Sequence, residues 1–297
     1  MKNLQTPSEQ RSSLNSQLFM TRKNTKAPRR LKSRRISGPH DPAQSMMERA
    51  EDLRGQGRLK AAESLYRRAL DLRQQVFGPS HHLVAHSMNF LANVLTEQDR
   101  HKEAEPLYRD SLTMRKKTLG SDHREVAASL SNLANVLQST KRYSESERLY
   151  RKSLKLRKKV YGSRHPNVAM CMMNLAILMQ TTGRNAQAEA LFKGALRLLR
   201  SRLGAVHERT AYAESNLADF LLTTGRTDEA LPLAEHARES LRAALPAGHR
   251  FNRWARKVLK RAKAQIKNGT GSTRRRDPTK VGQPAGSRQR RARISVA

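Results

Sequence analysis

Cysteine is nearly absent from this chain, since Cys171 is the only one among 297 residues. A single cysteine excludes an internal disulfide and a cysteine-rich metal site, and it fits a reducing compartment. Long apolar stretches are also missing, because no run approaches the roughly 18–20 residues that a membrane-spanning helix needs. The N-terminus lacks the apolar segment of a secretory signal. These absences favour a cytoplasmic protein without a transmembrane segment.

Acidic and aromatic residues are scarce. The chain has 25 Asp and Glu against 59 Lys and Arg, which gives a formal net charge of +34. Residues 1–40 hold ten basic residues and one acid, and residues 250–297 hold sixteen and one, so most of the excess lies at the two ends. Aromatic residues make up only 4% of the chain, too few for stacking on successive bases. Sequence-specific RNA recognition is therefore not expected, whereas non-specific phosphate contact stays open.

Catalytic motifs are missing as well. The chain contains no G-x-S-x-G, no phosphate-binding glycine loop and no H-E-x-x-H. His82 and His86 have the i,i+4 spacing of zinc ligands on a helix, but no third ligand accompanies them. Cys171 lies among methionines, which is typical of core packing. We therefore predict that the chain is not an enzyme and that it binds no cofactor and no metal.

A repeat of 42 residues dominates the middle of the chain. One histidine opens each unit, and most of these histidines follow a glycine by three residues. Successive copies should lie on the order of 15–20 Å apart, because two packed helices separate them, so they cannot share a zinc ion. We interpret them as loop residues that help to start the next helix. The five histidines are His81, His123, His165, His207 and His249.

Within each unit the apolar spacing is helical. Leu130, Leu133 and Leu137 follow the i, i+3, i+7 pattern, and a second helical run extends from Leu149 to Val160. A polar turn separates the two runs, so each unit is predicted to be a helical hairpin. Small residues recur where the two helices must approach closely. On the first helix they are Ala50, Ala92, Ala134, Ala176 and Ala218.

This pattern resembles the tetratricopeptide repeat, through Leu133-Ala134-x2-Leu137 followed by Ser146-x3-Tyr150, in a long form similar to the repeats of kinesin light chains. The resemblance implies an all-α, right-handed superhelical solenoid of about five hairpins, near 43-80, 81-122, 123-164, 165-206 and 207-248. Arg49 and Lys260 replace apolar residues of the other units and predict the ends of the array. A basic capping helix is expected at 249-267, with disordered basic tails at 1-42 and 268-297.

The resemblance also implies a concave groove lined by the first helix of each hairpin. Asparagine is a mediocre helix former, so its repetition in these helices needs a reason. Side-chain amides can hydrogen-bond the backbone of an extended peptide, or they can bridge adjacent repeats, and both interpretations stay open. The predicted groove residues are Asn89, Asn93, Ser131, Asn132, Asn135, Gln138, Met173, Asn174, Gln180, Asn216 and Asp219.

Basic clusters recur late on the second helices. Cations there suit the negative end of the helix dipole, and they also fit an acidic partner or nucleic acid. The predicted basic patch comprises Arg115, Lys116, Lys117, Arg157, Lys158 and Lys159.

We predict a non-enzymatic adaptor that holds a peptide segment of a partner protein in its groove. One alternative is a nucleic-acid or anionic-surface binding protein that acts through its basic tails. Another is a cargo adaptor of the kinesin-light-chain type. The basic runs also suggest the nucleus, while a mitochondrial presequence in the first 40 residues is less favoured. Ser37 and Ser295 follow basic residues, as targets of basophilic kinases do.

Overall fold

A computed structural model of the chain describes residues 41–273, with side chains described to residue 268. This range contains eleven α-helices and no strand, so the predicted all-α fold is confirmed. Almost all of the two predicted tails, with Ser37 and Ser295, lies outside the described residues. The helices are α1 (Gln44–Gly55), α2 (Leu59–Phe77), α3 (His82–Glu97), α4 (His101–Leu119), α5 (Arg124–Ser139), α6 (Tyr143–Tyr161), α7 (Pro166–Thr181), α8 (Asn185–Leu203), α9 (Glu208–Thr223), α10 (Thr227–Ala244) and α11 (Arg250–Thr273). The last helix runs beyond the boundary predicted at residue 267.

Consecutive helices pair into hairpins that stack in chain order, as in a solenoid. The odd-numbered helices form an inner layer, and most residues of α3, α5, α7 and α9 are buried. In α9 every residue from Thr210 to Leu222 is buried. The even-numbered helices form an outer layer with a single buried stripe. In α6 that stripe consists of Ser146, Tyr150, Ser153, Leu156 and Arg157.

Each inner helix after the first begins at one of the repeated histidines. His123 has extended backbone angles, and its Nδ1 accepts a hydrogen bond of 3.3 Å from the backbone N–H of Glu125. This bond satisfies one of the N–H groups that a helix leaves unpaired at its start. Gly120 ends the preceding helix at φ +82°, a conformation that favours glycine. The interpretation of these histidines as loop residues that start a helix is confirmed in all five copies.

We expect the capping histidines to make the fold sensitive to mild acid. Burial lowers the pKa of His165 and of His207, and it lowers the pKa of His249 to about 4. Each ring therefore stays neutral in the folded chain at a pH where the unfolded chain, with a pKa near ~6.5, already binds a proton. Stability is then fully present above pH ~6.5 and declines as the pH falls towards the folded pKa. Thermal unfolding followed by circular dichroism should show a lower Tm at pH 5 than at pH 7.

A variant with His165→Asn, His207→Asn and His249→Asn provides the matched comparison. Asparagine caps a helix at least as well as histidine does and does not titrate in this range. The difference in Tm between pH 7 and pH 5 should shrink in this variant. An unchanged difference would show that other groups cause the acid sensitivity.

The repeated alanines make the close approach of helices possible. Ala50, Ala92, Ala134, Ala176 and Ala218 are all fully buried between neighbouring helices. Substituting a larger side chain there would force strained rotamers into a packed interior. At the two ends the pattern stops, because Arg49 and Lys260 are exposed. Both ends of the array therefore present charged side chains to solvent, as terminal repeats of solenoids do.

A ladder of ion pairs connects successive outer helices. An arginine at the start of each outer helix contacts a glutamate of the preceding one, always across 37 positions and at 2.7 Å. These side chains are solvated, so each pair contributes little to stability. The pairs are Arg100–Glu63, Arg142–Glu105, Arg184–Glu147 and Arg226–Glu189.

Candidate functional site

The predicted groove residues lie on the inner helices, but they do not line an accessible surface. Ten of the eleven are at most 5% exposed, and only Gln180 is more open. A partner cannot contact these ten side chains in the conformation of this structure. The interpretation of the whole set as an open binding surface therefore needs correction, and their contacts show what most of them do instead.

Tyrosine hydroxyls of the outer helices bind one column of the predicted groove residues. The hydroxyl of Tyr108 donates a hydrogen bond of 2.6 Å to Oδ1 of Asn93. The hydroxyl of Tyr150 makes the same bond to Asn135, and that of Tyr66 donates to a carboxylate oxygen of Glu51 at 2.8 Å. Asn93 and Asn135 thus join the two layers of the fold, because a buried hydroxyl needs an acceptor.

The fourth hairpin lacks both the tyrosine and its polar acceptor. Phe192 occupies the position of these tyrosines, and Ile177 occupies the position of their acceptors. Both side chains are about 1% exposed. In the first four hairpins a polar acceptor therefore accompanies each hydroxyl and is absent where the hydroxyl is absent. The fifth hairpin has Ala234 and Asp219 at these positions, and there Asp219 pairs with Arg261 of the last helix instead. This internal covariation is the signal in the sequence from which the structural role of Asn93 and Asn135 could have been found.

A second column, Asn132, Asn174 and Asn216, behaves differently. Nδ2 of Asn132 donates to Oδ1 of Asn89 at 3.1 Å, so this pair bridges adjacent repeats. Nδ2 of Asn216 donates to the carbonyl oxygen of Tyr212 at 2.8 Å. Oδ1 of Asn132, Oδ1 of Asn216 and both polar side-chain atoms of Asn174 have no hydrogen-bond partner among the described residues. We name these three residues the inner amide column.

The remaining predicted groove residues are held by neighbours within the fold. Oγ of Ser131 lies 2.7 Å from Oγ of Ser153, and Met173 is part of the apolar core. Asp219 pairs with Arg261 of the last helix. Two glutamines complete the set: Oε1 of Gln138 lies 3.3 Å from the Tyr150 hydroxyl, and Nε2 of Gln180 donates to Oγ1 of Thr223 at 2.8 Å.

The start of the last helix lies near enough to the first two hairpins for their charges to interact. Arg250, at the start of α11, interacts electrostatically with Glu97 at the end of α3 and with Arg54 and Glu51 on α1. Burial lowers the pKa of Arg250 to about 10, although the Glu97 carboxylate opposes that shift.

Only part of the predicted basic patch is exposed to solvent. Lys116, Lys117, Lys158 and Lys159 are exposed, as expected, but the two arginines are buried. Arg115 is 2% exposed and donates to Oγ of Ser129 at 2.7 Å. Arg157 is 1% exposed and donates to Oγ of Ser153 at 3.2 Å. The inclusion of Arg115 and Arg157 was therefore wrong, because helical periodicity turns them towards the core while their lysine neighbours face solvent.

Metal ligands and membrane spans are both missing from the described part of the chain. No group of three or more His, Cys, Asp or Glu side chains within residues 41–268 is placed to hold a metal ion. None of the described helices is long and apolar enough to cross a bilayer.

Several solved structures are similar to this fold. The chain is similar to a putative kinesin light chain with nearly identical TPR-like repeats from Podosopora anserina, at 22% identity over 69% of this chain and 97% of that one, with a TM-score of 0.55. It is also similar to BtubC (BKLC) from P. vanneervenii, at 17% identity over 86% and 99%, with a TM-score of 0.51. A Rap protein complexed with Competence and Sporulation Factor matches at 15% identity over 66% and 52%, with a TM-score of 0.58.

The sequence comparisons identify the family. No curated protein sequence matches the chain significantly. The family model for the tetratricopeptide repeat matches residues 41–117, 125–201 and 171–243, which is more than half of the chain and includes both layers of the solenoid. The chain therefore belongs to the tetratricopeptide repeat family.

Proposed function

We propose that this chain is a non-enzymatic scaffold that binds an extended segment of a partner protein along the inner amide column. The tetratricopeptide fold is typical of protein-interaction scaffolds, which supports the general class. The observation that carries the specific proposal is Asn174. This side chain is 1% exposed, and neither its Oδ1 nor its Nδ2 has a hydrogen-bond partner among the described residues.

An amide in that state destabilises the fold that contains it. A buried polar group without a partner costs about 1–3 kcal/mol, and asparagine is also a mediocre helix former. An apolar side chain of similar size would serve packing better at this position. The backbone of an extended peptide offers one donor and one acceptor per residue, which is what Asn174 lacks.

The spacing of the column suits an extended chain. Asn132, Asn174 and Asn216 lie on consecutive inner helices, 42 residues apart. The bond between Asn132 and Asn89 shows that adjacent inner helices contact each other directly, so they lie about 8–10 Å apart and not the roughly 15–20 Å expected from two intervening helices. An extended chain advances about 3.3 Å per residue. One amide per helix therefore meets about every third peptide residue.

The burial of the column sets a condition on binding. The hairpins must separate enough to admit a peptide, so the apparent affinity is reduced by the fraction of molecules that are open. Such an opening would break the bond from Asn132 to Asn89, which joins two adjacent hairpins. A similar solenoid, the Rap protein, was solved with a Competence and Sporulation Factor bound, which supports a peptide as the ligand class.

Peptide selection tests this proposal. Peptides enriched from a random displayed library against the full chain would be titrated calorimetrically into wild type and Asn174→Leu. We expect Asn174→Leu to weaken binding about tenfold or more, since two hydrogen bonds to the peptide backbone are lost.

The matched control is Asn185→Leu, the same chemical change at an exposed position of α8. Its affinity should stay within about twofold of wild type. Peptides that bind Asn174→Leu as tightly as wild type would rule out the inner amide column as the site.

The two alternative functions stay predictions. Binding of nucleic acid or an anionic surface through the tails rests on residues that are mostly outside the described range. Such binding should weaken steeply between about 50 and 200 mM salt, whereas peptide binding to the inner amide column should persist. A cargo adaptor is one specific kind of protein-binding scaffold, and that role stays a prediction. A cytoplasmic or nuclear location is likewise part of this proposal.

A further inference from the structure

An open cleft of about 700 Å³ lies between α8 and the loop that precedes α7. Its lining includes the apolar side chains of Val168, Met172 and Leu198. Met172 on α7 and Leu198 on α8 are half-buried, whereas Met173 and Leu199 beside them are buried. The cleft is formed at the loop edge of the fourth hairpin, apart from the inner amide column.

Gly194 in the lining distinguishes this hairpin from the others. The corresponding position of the other outer helices holds Arg68, Asp110, Lys152 or His236. A Cβ atom on Gly194 would lie 3.0 Å from Cε of Met172, closer than ordinary packing allows. Glycine inside a helix costs roughly 0.5–1 kcal/mol relative to alanine. Glycine therefore lets the Met172 side chain lie close against α8, at a cost in helix stability.

The rim of the cleft is cationic. Lys158, Arg164, Arg197 and Arg202 line it, and no acidic residue does. All four are exposed, and within the part of the chain that the structure describes none of them forms a salt bridge. Nε of Arg202 donates to the carbonyl oxygen of Arg164 at 3.2 Å, which holds the loop against α8.

The same edge of the preceding hairpin is electrostatically different. There Asp122 pairs with Lys159. One repeat later, Arg164 stands in the position of Asp122, so the neutralising carboxylate is replaced by a cation. Arg197 likewise stands where the first and fifth hairpins have Asp71 and Glu239. The preceding hairpin has Lys116 and Lys155 where this one has Lys158 and Arg197, but it has Asp122 and Val160 where this one has Arg164 and Arg202. Two of the four rim cations are therefore specific to this cleft and do not follow from the repeat.

We propose that this cleft binds an acidic peptide segment of another protein, with one aliphatic side chain against Met172 and Leu198 and flanking carboxylates on the cationic rim. Arginine binds carboxylates through paired, charge-assisted hydrogen bonds, and Arg197 and Arg202 supply two such groups. The apolar lining favours a peptide over a nucleic acid, which has no aliphatic side chain to place there. This surface is separate from the site of the proposed function.

The terminal segments of this chain, and a second copy of it, are poorly suited to bind in the cleft. Residues 1–40 contain ten basic residues and only Glu9 as an acid, and residues 274–297 contain Asp277 as their only acid. These segments would be repelled by the rim. A second copy is disfavoured as well, because each copy carries a formal net charge of +34. Charge complementarity therefore points to a different, acidic protein.

Fluorescence anisotropy with a designed probe tests this proposal. The probe is a labelled peptide of about twelve Asp and Glu residues with one central leucine, titrated with the full chain at physiological ionic strength. We expect Arg197→Glu with Arg202→Glu to weaken binding about tenfold or more. Replacing the central leucine by alanine should weaken binding by about three- to tenfold, because the aliphatic contact is lost.

The control variant is Lys116→Glu with Lys117→Glu, which makes the same change in net charge at exposed positions of α4. It should reduce the affinity by about twofold or less. Asn174→Leu should leave the affinity unchanged, so that failure of this proposal and failure of the proposed function can be told apart. Equal weakening by both charge reversals, or equal affinity for the leucine and alanine peptides, would overturn the proposal. Equally tight binding of a single-stranded oligonucleotide would overturn it in favour of a polyanion.

Discussion

Tyr150→Ala should lower the free energy of unfolding by about 3–5 kcal/mol, measured by urea denaturation followed in the far-UV circular dichroism. Tyr150 is fully buried in the third hairpin, where its ring belongs to the apolar core. Its hydroxyl also contacts Asn135 and Gln138 on the inner helix α5. The substitution therefore leaves a cavity and removes the acceptors' partner at the same time.

Two further variants separate the ring from the hydroxyl. Tyr150→Phe keeps the ring and should cost only about 1–3 kcal/mol, because Asn135 loses its donor. Adding Asn135→Ile should recover most of that loss, since the fourth hairpin already combines Phe192 with Ile177. If Tyr150→Ala costs less than about 1 kcal/mol, the buried tyrosines do not hold the two layers together.

Asp41→Asn should lower the free energy of unfolding by about 3–5 kcal/mol, because it removes the partner of a buried charge. The Arg73 side chain is 0% exposed, and its guanidinium contacts the Asp41 carboxylate at 2.5 Å. Burial opposes ionisation of Asp41, but the bonds and charge of Arg73 outweigh it, so the pKa of Asp41 lies below its usual value. The stabilisation is thus present above pH ~4 and is lost as the pH falls through the lowered pKa.

A double variant distinguishes a lost partner from a lost contact. Asp41→Asn with Arg73→Met should be more stable than Asp41→Asn alone, because no uncompensated buried charge remains. The control is the same substitution at Asp52, an exposed aspartate on α1, which should change stability by about 0.5 kcal/mol or less. A double variant that is no more stable than the single one would contradict this account of Arg73.

The hairpins and their boundaries could be predicted because they depend on spacing within one repeat. The histidine cap is local, since His123 bonds an N–H group two residues away. The burial of the predicted groove could not be predicted in this way. It depends on contacts between repeats and between the two layers, such as the bond from Asn132 to Asn89 and the bond from the Tyr108 hydroxyl to Asn93.

The errors in the site have separate physical causes. Arg115 stands beside Lys116 in the sequence, but one step along a helix turns a side chain by about 100°, so neighbours face different surroundings. The peptide-binding interpretation of Asn93 and Asn135 is a second case, because each of them accepts a hydrogen bond from a tyrosine hydroxyl within the fold. The exchange to Ile177 and Phe192 in the fourth hairpin was available in the sequence and would have revealed that pairing.

The unfolding free energy of Asn174→Leu, measured by urea denaturation of the full chain without any peptide, tests most directly whether the inner amide column is retained for binding. If the column serves a partner, leucine removes an unpaired buried amide and should raise the free energy of unfolding by about 1–3 kcal/mol. Asn132→Leu breaks the bond to Asn89 and should lower it. A loss of stability in Asn174→Leu comparable to that in Asn132→Leu would show that Asn174 has a structural role, and it would contradict the account.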